Sequence, residues 1–236
     1  MGRRIPTLLV LIIIAFTLVS CKTVATSADY DEETYESVYN LILDKSRSDA
    51  VLNLFISLNE GEEDMIPNEY SFLRDYRYRV PGLDRILTNW SRTTRGFLVP
   101  SFDTFQRFVS ELFASVEKPD YRAIVESGGS PISLYLQQEC SDAMTADIEG
   151  FISDIDVSAW NEAVVQYSAW ANTRRLLYEE DNPEIVRGST DDETRHMLAK
   201  HLVDLFFSVL QRYEFLFRTT PDPEMDSVAA AILGLQ

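Results

Sequence analysis

The chain has 236 residues, with 38 Asp and Glu against 21 Lys and Arg, a formal net charge of −17. That acid excess argues against a nucleic-acid binder, which neutralises phosphates with clustered Lys and Arg, and against electrostatic adhesion to anionic lipid headgroups. Hydrophobic residues make up 45% of the chain, which argues against disorder over most of it and suffices for one sizeable core.

Residues 1–20 read as a secretory signal. Arg3 and Arg4 form a basic start, and Ile5 to Val19 is apolar apart from Pro6, Thr7 and Thr17. The run is shorter than the about 20 apolar residues a membrane span needs. It ends in Leu18-Val19-Ser20-Cys21, which resembles the bacterial lipobox. The resemblance implies diacylglyceryl transfer to the Cys21 sulfur, cleavage after Ser20 and N-acylation of the new terminus, as with palmitate. One acyl chain binds a membrane only marginally, and several anchor it firmly at about 0.8 kcal/mol per buried CH₂. The expected partner is therefore the lipid bilayer, reached through acylated Cys21. Lys22 follows the Cys, where an Asp signals inner-membrane retention in some diderm bacteria. The expected site is the outer membrane, facing the periplasm. Without the signal, 19 basic residues face 38 acidic ones, a net −19.

Residues 21–33 read as the lipidated terminus and a flexible tether, small, polar and acidic. Residues 34–236 read as one all-α domain, a multi-helix bundle, because nearly every apolar pattern there has helical period. Tyr35, Val38, Leu41 and Ile42 predict a first helix. Val51, Leu52, Phe55 and Leu58 predict a second, with Ser48 as its N-cap. Asn59 to Tyr70 reads as an acidic loop. Arg74 to Pro81 alternates, with Tyr76, Tyr78 and Val80 opposite Arg77 and Arg79, and predicts a short extended segment. Leu83, Ile86, Leu87 and Trp90 form the next stripe, and an aromatic stripe runs from Phe102 to Val116.

Tyr121, Ile124 and Val125 predict a short helix that stops at the turn Gly128-Gly129. Ser130-Pro131 reads as N-cap and first residue of the following helix. Met144 to Ile155 predicts another, and Trp160 to Leu177 another, capped by Ser158. Thr190-Asp191-Asp192-Glu193 is a capping-box pattern that opens a long helix reaching Phe217 and ending at Pro221. Asp222-Pro223 opens a terminal helix.

Catalytic and metal signals are sparse. His196 and His201 stand five apart, about 140° around a helix, whereas a helical metal pair needs i, i+3 or i, i+4 spacing. They read as surface or boundary histidines, and no metal or cofactor is expected. Cys140 reads as a small apolar residue on a helix face. Gly128-Gly129-Ser130-Pro131 lacks the second Gly of a nucleophile elbow and the Gly-Lys-Ser/Thr of a phosphate loop. Glu60, Glu62, Glu63 and Asp64 read as a solvated acid run. Arg74, Tyr76, Arg77, Tyr78 and Arg79 form a basic-aromatic cluster. It reads either as a docking patch for an anionic or glycan partner, or as tyrosines packed on the core with arginines paired to acids such as Asp75 and Asp84.

Two blocks carry a family resemblance. Asp120, Ala123, Ile124, Gly128, Tyr135 and Leu136 are in register with one motif of an uncharacterised bacterial family, catalogued only as a domain of unknown function, many of whose members carry lipoprotein signals. Val203-Asp204-Leu205-Phe206-Phe207, Glu214, Phe217-Arg218 and Thr220-Pro221 are similar to its second motif, without a gap from Asp204 to Pro221. Tyr78-Arg79-Val80-Pro81 looks like the family's extended segment before its central helices. Ser127, Leu205 and Thr220 depart from the pattern. The resemblance implies a helical exported domain with no assigned activity, and it makes Asp120, Asp204, Glu214 and Arg218 the polar candidates for a shared role. Glu214 and Arg218, at i, i+4 with Glu first, form a pair worth about 0.2–0.5 kcal/mol on an exposed helix. Asp204, beside Leu205 and Phe206, predicts a partly buried, paired carboxylate, and the three groups read as a network tying the long helix to its neighbours.

The expected function is a membrane-anchored lipoprotein acting as a non-enzymatic binding or structural module of the envelope, with no nucleic acid among its partners. The alternatives are a carboxylate-dependent envelope hydrolase using Asp204 or Glu214, and a carrier of an apolar ligand walled by Phe102 to Phe113.

Overall fold

In a computed structural model the described residues are 30–177, 183, 186–220, 222–223 and 225–235. The signal segment, Cys21, most of the tether and Pro221 lie outside them. The fold is all-α, and among the described residues there is no strand. None of the described helices is long and apolar enough to cross a membrane.

Helix α1, Glu32–Glu60, is a single rod. Its N-cap is Asp31, whose carboxylate accepts from the Thr34 amide at 2.9 Å, so the tether gives way to helix before residue 33. The two predicted helices are one, and Ser48 lies in its interior. The reason is the inward face of the polar stretch. Ser46 and Ala50 are buried there, so the stripe from Tyr39 and Ile42 continues through small residues to Leu54 and Leu58. Gly61 ends α1 at φ +80°, the left-handed conformation of a helix C-cap.

The following loop is anchored rather than solvated. Met65 and Ile66 are fully buried, and the Trp90 indole donates to the Met65 carbonyl at 2.5 Å. Next come a 3₁₀ turn at Asn68–Tyr70 and the short helix α2, Leu73–Tyr76. The expected extended segment at Arg74–Pro81 is therefore a set of helical turns. The Val80 amide donates to the Tyr76 carbonyl at 3.0 Å, which places Tyr76 and Val80 on one side and leaves Tyr78 in solvent.

Helices α3 (Leu83–Leu98), α4 (Phe102–Ser115), α5 (Tyr121–Glu126) and α6 (Pro131–Phe151) follow. The last absorbs the predicted helix at Met144; Ile152 and Ile155 are buried in the turn after it. Then come α7 (Ser158–Leu177), α8 (Asp191–Thr219) and α9 (Ser227–Ile232). Ser158 is the first residue of α7, and its amide is held by the Asp156 carboxylate. Thr190 and Glu193 form the predicted capping box. Helix α9 begins later than Asp222-Pro223, capped by Asp226.

Helix α8 packs along both α1 and α6, while α3 pairs with α7 and α5 lies on α1. The arrangement of α1 and α8 is antiparallel. Tyr35 near the start of α1 bonds Glu126 at 2.5 Å, and Arg218 late in α8 bonds the neighbouring Val125 carbonyl. At the other end, Asp64 meets His201. Phe105, Phe113, Phe206 and Phe207 form a connected ring cluster in the core.

Candidate functional site

Glu214 and Arg218 join α8 to the ends of α5 and α6. Both are buried, at 1% and 6% exposure, so the pair lies in the interior rather than on an exposed helix face. Arg218 Nε donates to Glu214 Oε1 at 2.9 Å. The same Oε1 accepts the Ile132 amide at 3.0 Å, while Oε2 accepts the Ser133 amide at 2.7 Å and the Ser133 hydroxyl at 2.6 Å. Glu214 therefore caps α6 from another helix, satisfying two orphan amides and facing the positive end of the helix dipole. Ser130, the expected side-chain cap, donates its hydroxyl to the Gln211 carbonyl at 2.6 Å instead.

Arg218 completes the junction at the opposite polarity. Its Nη1 donates to the Val125 and Ser127 carbonyls at 3.0 and 3.2 Å, and its Nη2 to the Ile124 carbonyl at 3.5 Å. These carbonyls lie at the end of α5, where the last turn lacks i+4 amides, and Ile124 also accepts the Ser127 amide. Burial pushes the Arg218 guanidinium below its ordinary value, and the Glu214 carboxylate opposes the shift. Asp120 caps the start of α5 by accepting the Ala123 amide at 2.9 Å. Gly129, at φ +81°, forms the turn between α5 and α6.

Ten residues before Glu214 on α8, nearly three turns away, Asp204 is half-buried and accepts from the Asn68 amide at 3.1 Å. It lines an open groove of about 480 Å³ with Asn68, Gln137, His201, Ser208 and Gln211. His201, expected at the surface or its boundary, is 7% exposed because it closes the gap between α8 and the buried loop. Its Nε2 lies 3.4 Å from the Asp64 carbonyl. A carbonyl only accepts, which assigns the proton to Nε2. Nδ1 is left as a buried acceptor without a partner among the described residues. Burial lowers the His201 pKa, the Asp64 carbonyl contact raises it, and the Arg74 charge lowers it further. His196 is exposed and pairs with Glu149 at 3.1 Å.

The basic-aromatic cluster divides. Arg74 grips Asp64 with two bonds of 2.7 Å, so Asp64 leaves the solvated acid run. Burial alone raises the Asp64 carboxyl, but the Arg74 bonds and charge and the Ile66 amide hold it below its ordinary value. Arg77 pairs with Asp84 at 2.5 Å. Tyr76 packs against Tyr167 and Trp170. Tyr78 and Arg79 stay exposed.

Cys140 is buried, and its thiol donates to the Leu136 carbonyl. Burial pushes its pKa up to about 11. No cluster of three or more metal-ligating side chains occurs among the described residues. Comparison with protein-family models, curated proteins and solved structures finds no match.

Proposed function

We propose that the protein is a lipid-anchored lipoprotein of the bacterial cell envelope, held through acylated Cys21 at the periplasmic face of the outer membrane. Its helical domain is a non-enzymatic binding module, and the groove along α8 is its binding surface. The observation that carries the binding reading is His201, a buried imidazole in the groove wall whose Nδ1 lone pair has no partner among the described residues. Around it stand the carboxamides of Asn68, Gln137 and Gln211, the Ser208 hydroxyl and the Asp204 carboxylate. Such a lining of donors and acceptors suits a neutral ligand rich in hydroxyl and amide groups.

The other readings have less support. Both Glu214 oxygens are engaged with Arg218 and the start of α6, so Glu214 has no free lone pair aimed at a substrate. The apolar pocket between α4 and α6, lined by Phe105, Phe108, Ile148 and Phe151, measures about 140 Å³. A typical ligand cavity is about 300 Å³ or more.

Two experiments test the proposal. Cys21→Ala is expected to leave the membrane fraction; continued sedimentation with membranes overturns the anchor. The chain has two histidines, so histidine-specific ¹⁵N labelling resolves His201 directly. Titration with an N-acetylglucosamine disaccharide is expected to shift the His201 resonances and leave His196 in place, with the shift abolished in Asp204→Ala. Unmoved His201 resonances overturn the groove reading.

A further inference from the structure

The acid excess is not evenly spread. The stretch Leu73–Leu98 and helix α7, which pack on one another, carry eight arginines and three acids, Asp75, Asp84 and Glu162. The rest of the chain carries thirteen basic and 35 acidic residues, including Glu179, Glu180 and Asp181, which follow α7 outside the described residues. Where α2 meets the second half of α7, three arginines stack on three rings. Arg79 lies 5.7 Å from the Tyr76 centroid and Arg174 5.5 Å from Trp170, while Arg77, already paired with Asp84, lies 5.8 Å from Tyr78.

Two of these pairs meet. The Tyr76 and Trp170 rings are 5.4 Å apart, and Gln166 pins the adjoining turn by donating to the Pro81 carbonyl at 2.9 Å. At the edge Tyr78 is 83% exposed. Guanidinium groups held beside Tyr and Trp rings combine headgroup attraction with interfacial anchoring.

We propose that this arginine-aromatic face docks on the anionic phospholipid surface of the same bilayer that holds the lipid anchor. The proposal rests on the anchoring reading and adds an orientation to it. The rest of the domain, strongly acidic, is repelled by the same headgroups, so the charge separation itself turns the molecule. The length of the tether sets the geometry. Nine residues from Cys21 to Tyr30 reach at most about 32 Å. Helix α1, with 29 residues, is about 43 Å long. The tether enters at Asp31, whereas the arginine-aromatic face lies beyond the other end of α1, where Arg74 holds Asp64. Contact therefore requires α1 to lie along the membrane rather than stand on it.

Tryptophan emission tests this in the full acylated chain. Trp90 and Trp160 are fully buried, whereas Trp170 is partly exposed on the proposed face. The protein is reconstituted on vesicles of brominated phosphatidylcholine, alone or mixed with phosphatidylglycerol. Quenching of the Trp170 emission is expected on the anionic vesicles. It is expected to fall on neutral ones and between about 0.1 M and about 1 M salt, where screening shortens from about 10 to about 3 Å. Arg79→Glu with Arg174→Glu is expected to abolish it, and Trp170→Phe to remove the quenched component. Equal quenching on both vesicles, no quenching, or quenching that survives Trp170→Phe overturns the docking. Sedimentation with neutral vesicles reads the anchor separately. Protein left in the supernatant overturns the anchoring reading, whereas protein that pellets unquenched overturns only the orientation.

Discussion

Glu214 and Arg218, one helical turn apart and 2.9 Å from each other, complete the facing ends of two other helices. The carboxylate supplies acceptors to the start of α6, and the guanidinium supplies donors to the end of α5. Each charge is thus compensated both by its partner and by backbone dipoles of the matching sign. Glu214→Ala strands a buried guanidinium and two helix amides. It is expected to destabilise by about 3–5 kcal/mol, the range for breaking a buried pair. Glu214→Ala with Arg218→Met is expected to cost less than the sum of the two single changes. Urea unfolding of the three variants checks this, and strict additivity refutes the coupling.

His201 gives the stability a pH dependence. Its folded pKa is lowered by burial, so between that value and the ordinary one of about 6.5 the unfolded chain takes up a proton that the folded chain does not. Stability is expected to decline as pH falls from about 6.5 and to level off below the folded pKa. His201→Gln, which does not titrate, is expected to lack this decline. Asp64 acts in a different window. Its lowered pKa contributes stability above about 3.9 that is lost as pH falls through the folded value. Melting temperature against pH for both proteins separates the two effects.

Cys140 is 3% exposed and its thiol pKa is raised, so thiolate is scarce and shielded. In Cys21→Ala it is the sole thiol. A disulfide reagent is expected to leave it unmodified in the native protein and to modify it only as the chain unfolds. Rapid native labelling contradicts the packing.

Gly61 joins α1 to the buried loop at φ +80°. A Cβ there runs into the Arg95 guanidinium as well as adopting a conformation unfavourable to L-residues. Gly61→Ala is expected to destabilise by about 1–2 kcal/mol, the left-handed penalty for a residue with Cβ. Thermal unfolding measures it, and an unchanged midpoint contradicts it.

What the sequence revealed followed the range of the interactions concerned. The capping box at Thr190 and Glu193 is complete within four residues and was readable as written. The continuity of α1 was obscured because its inward face runs through Ser46 and Ala50, which do not register as an apolar stripe. Tyr76 and Val80 satisfy both a two-residue and a four-residue period, and only the exposure of Tyr78 distinguishes them. Asp120, Asp204, Glu214 and Arg218 stood out in the sequence only through an expected resemblance. No local pattern told that Glu214 replaces Ser130 as the acceptor for α6, since 84 positions separate them. His201 was also hidden, because its burial depends on Met65 and Ile66 folding under a loop that reads as acidic and solvated.

The capping of α6 from α8 also bears on the order of assembly. The first long helix packs on the last one, and α6 has its amides satisfied only when residue 214 arrives. Contacts of such high sequence separation raise the entropy cost of reaching the folding nucleus. A chain emerging from its N-terminus holds α1 without its mate until Asp191–Thr219 has been made. Closure of this domain is therefore a late, concerted event, and its N-terminal part does not form the same core ahead of α8.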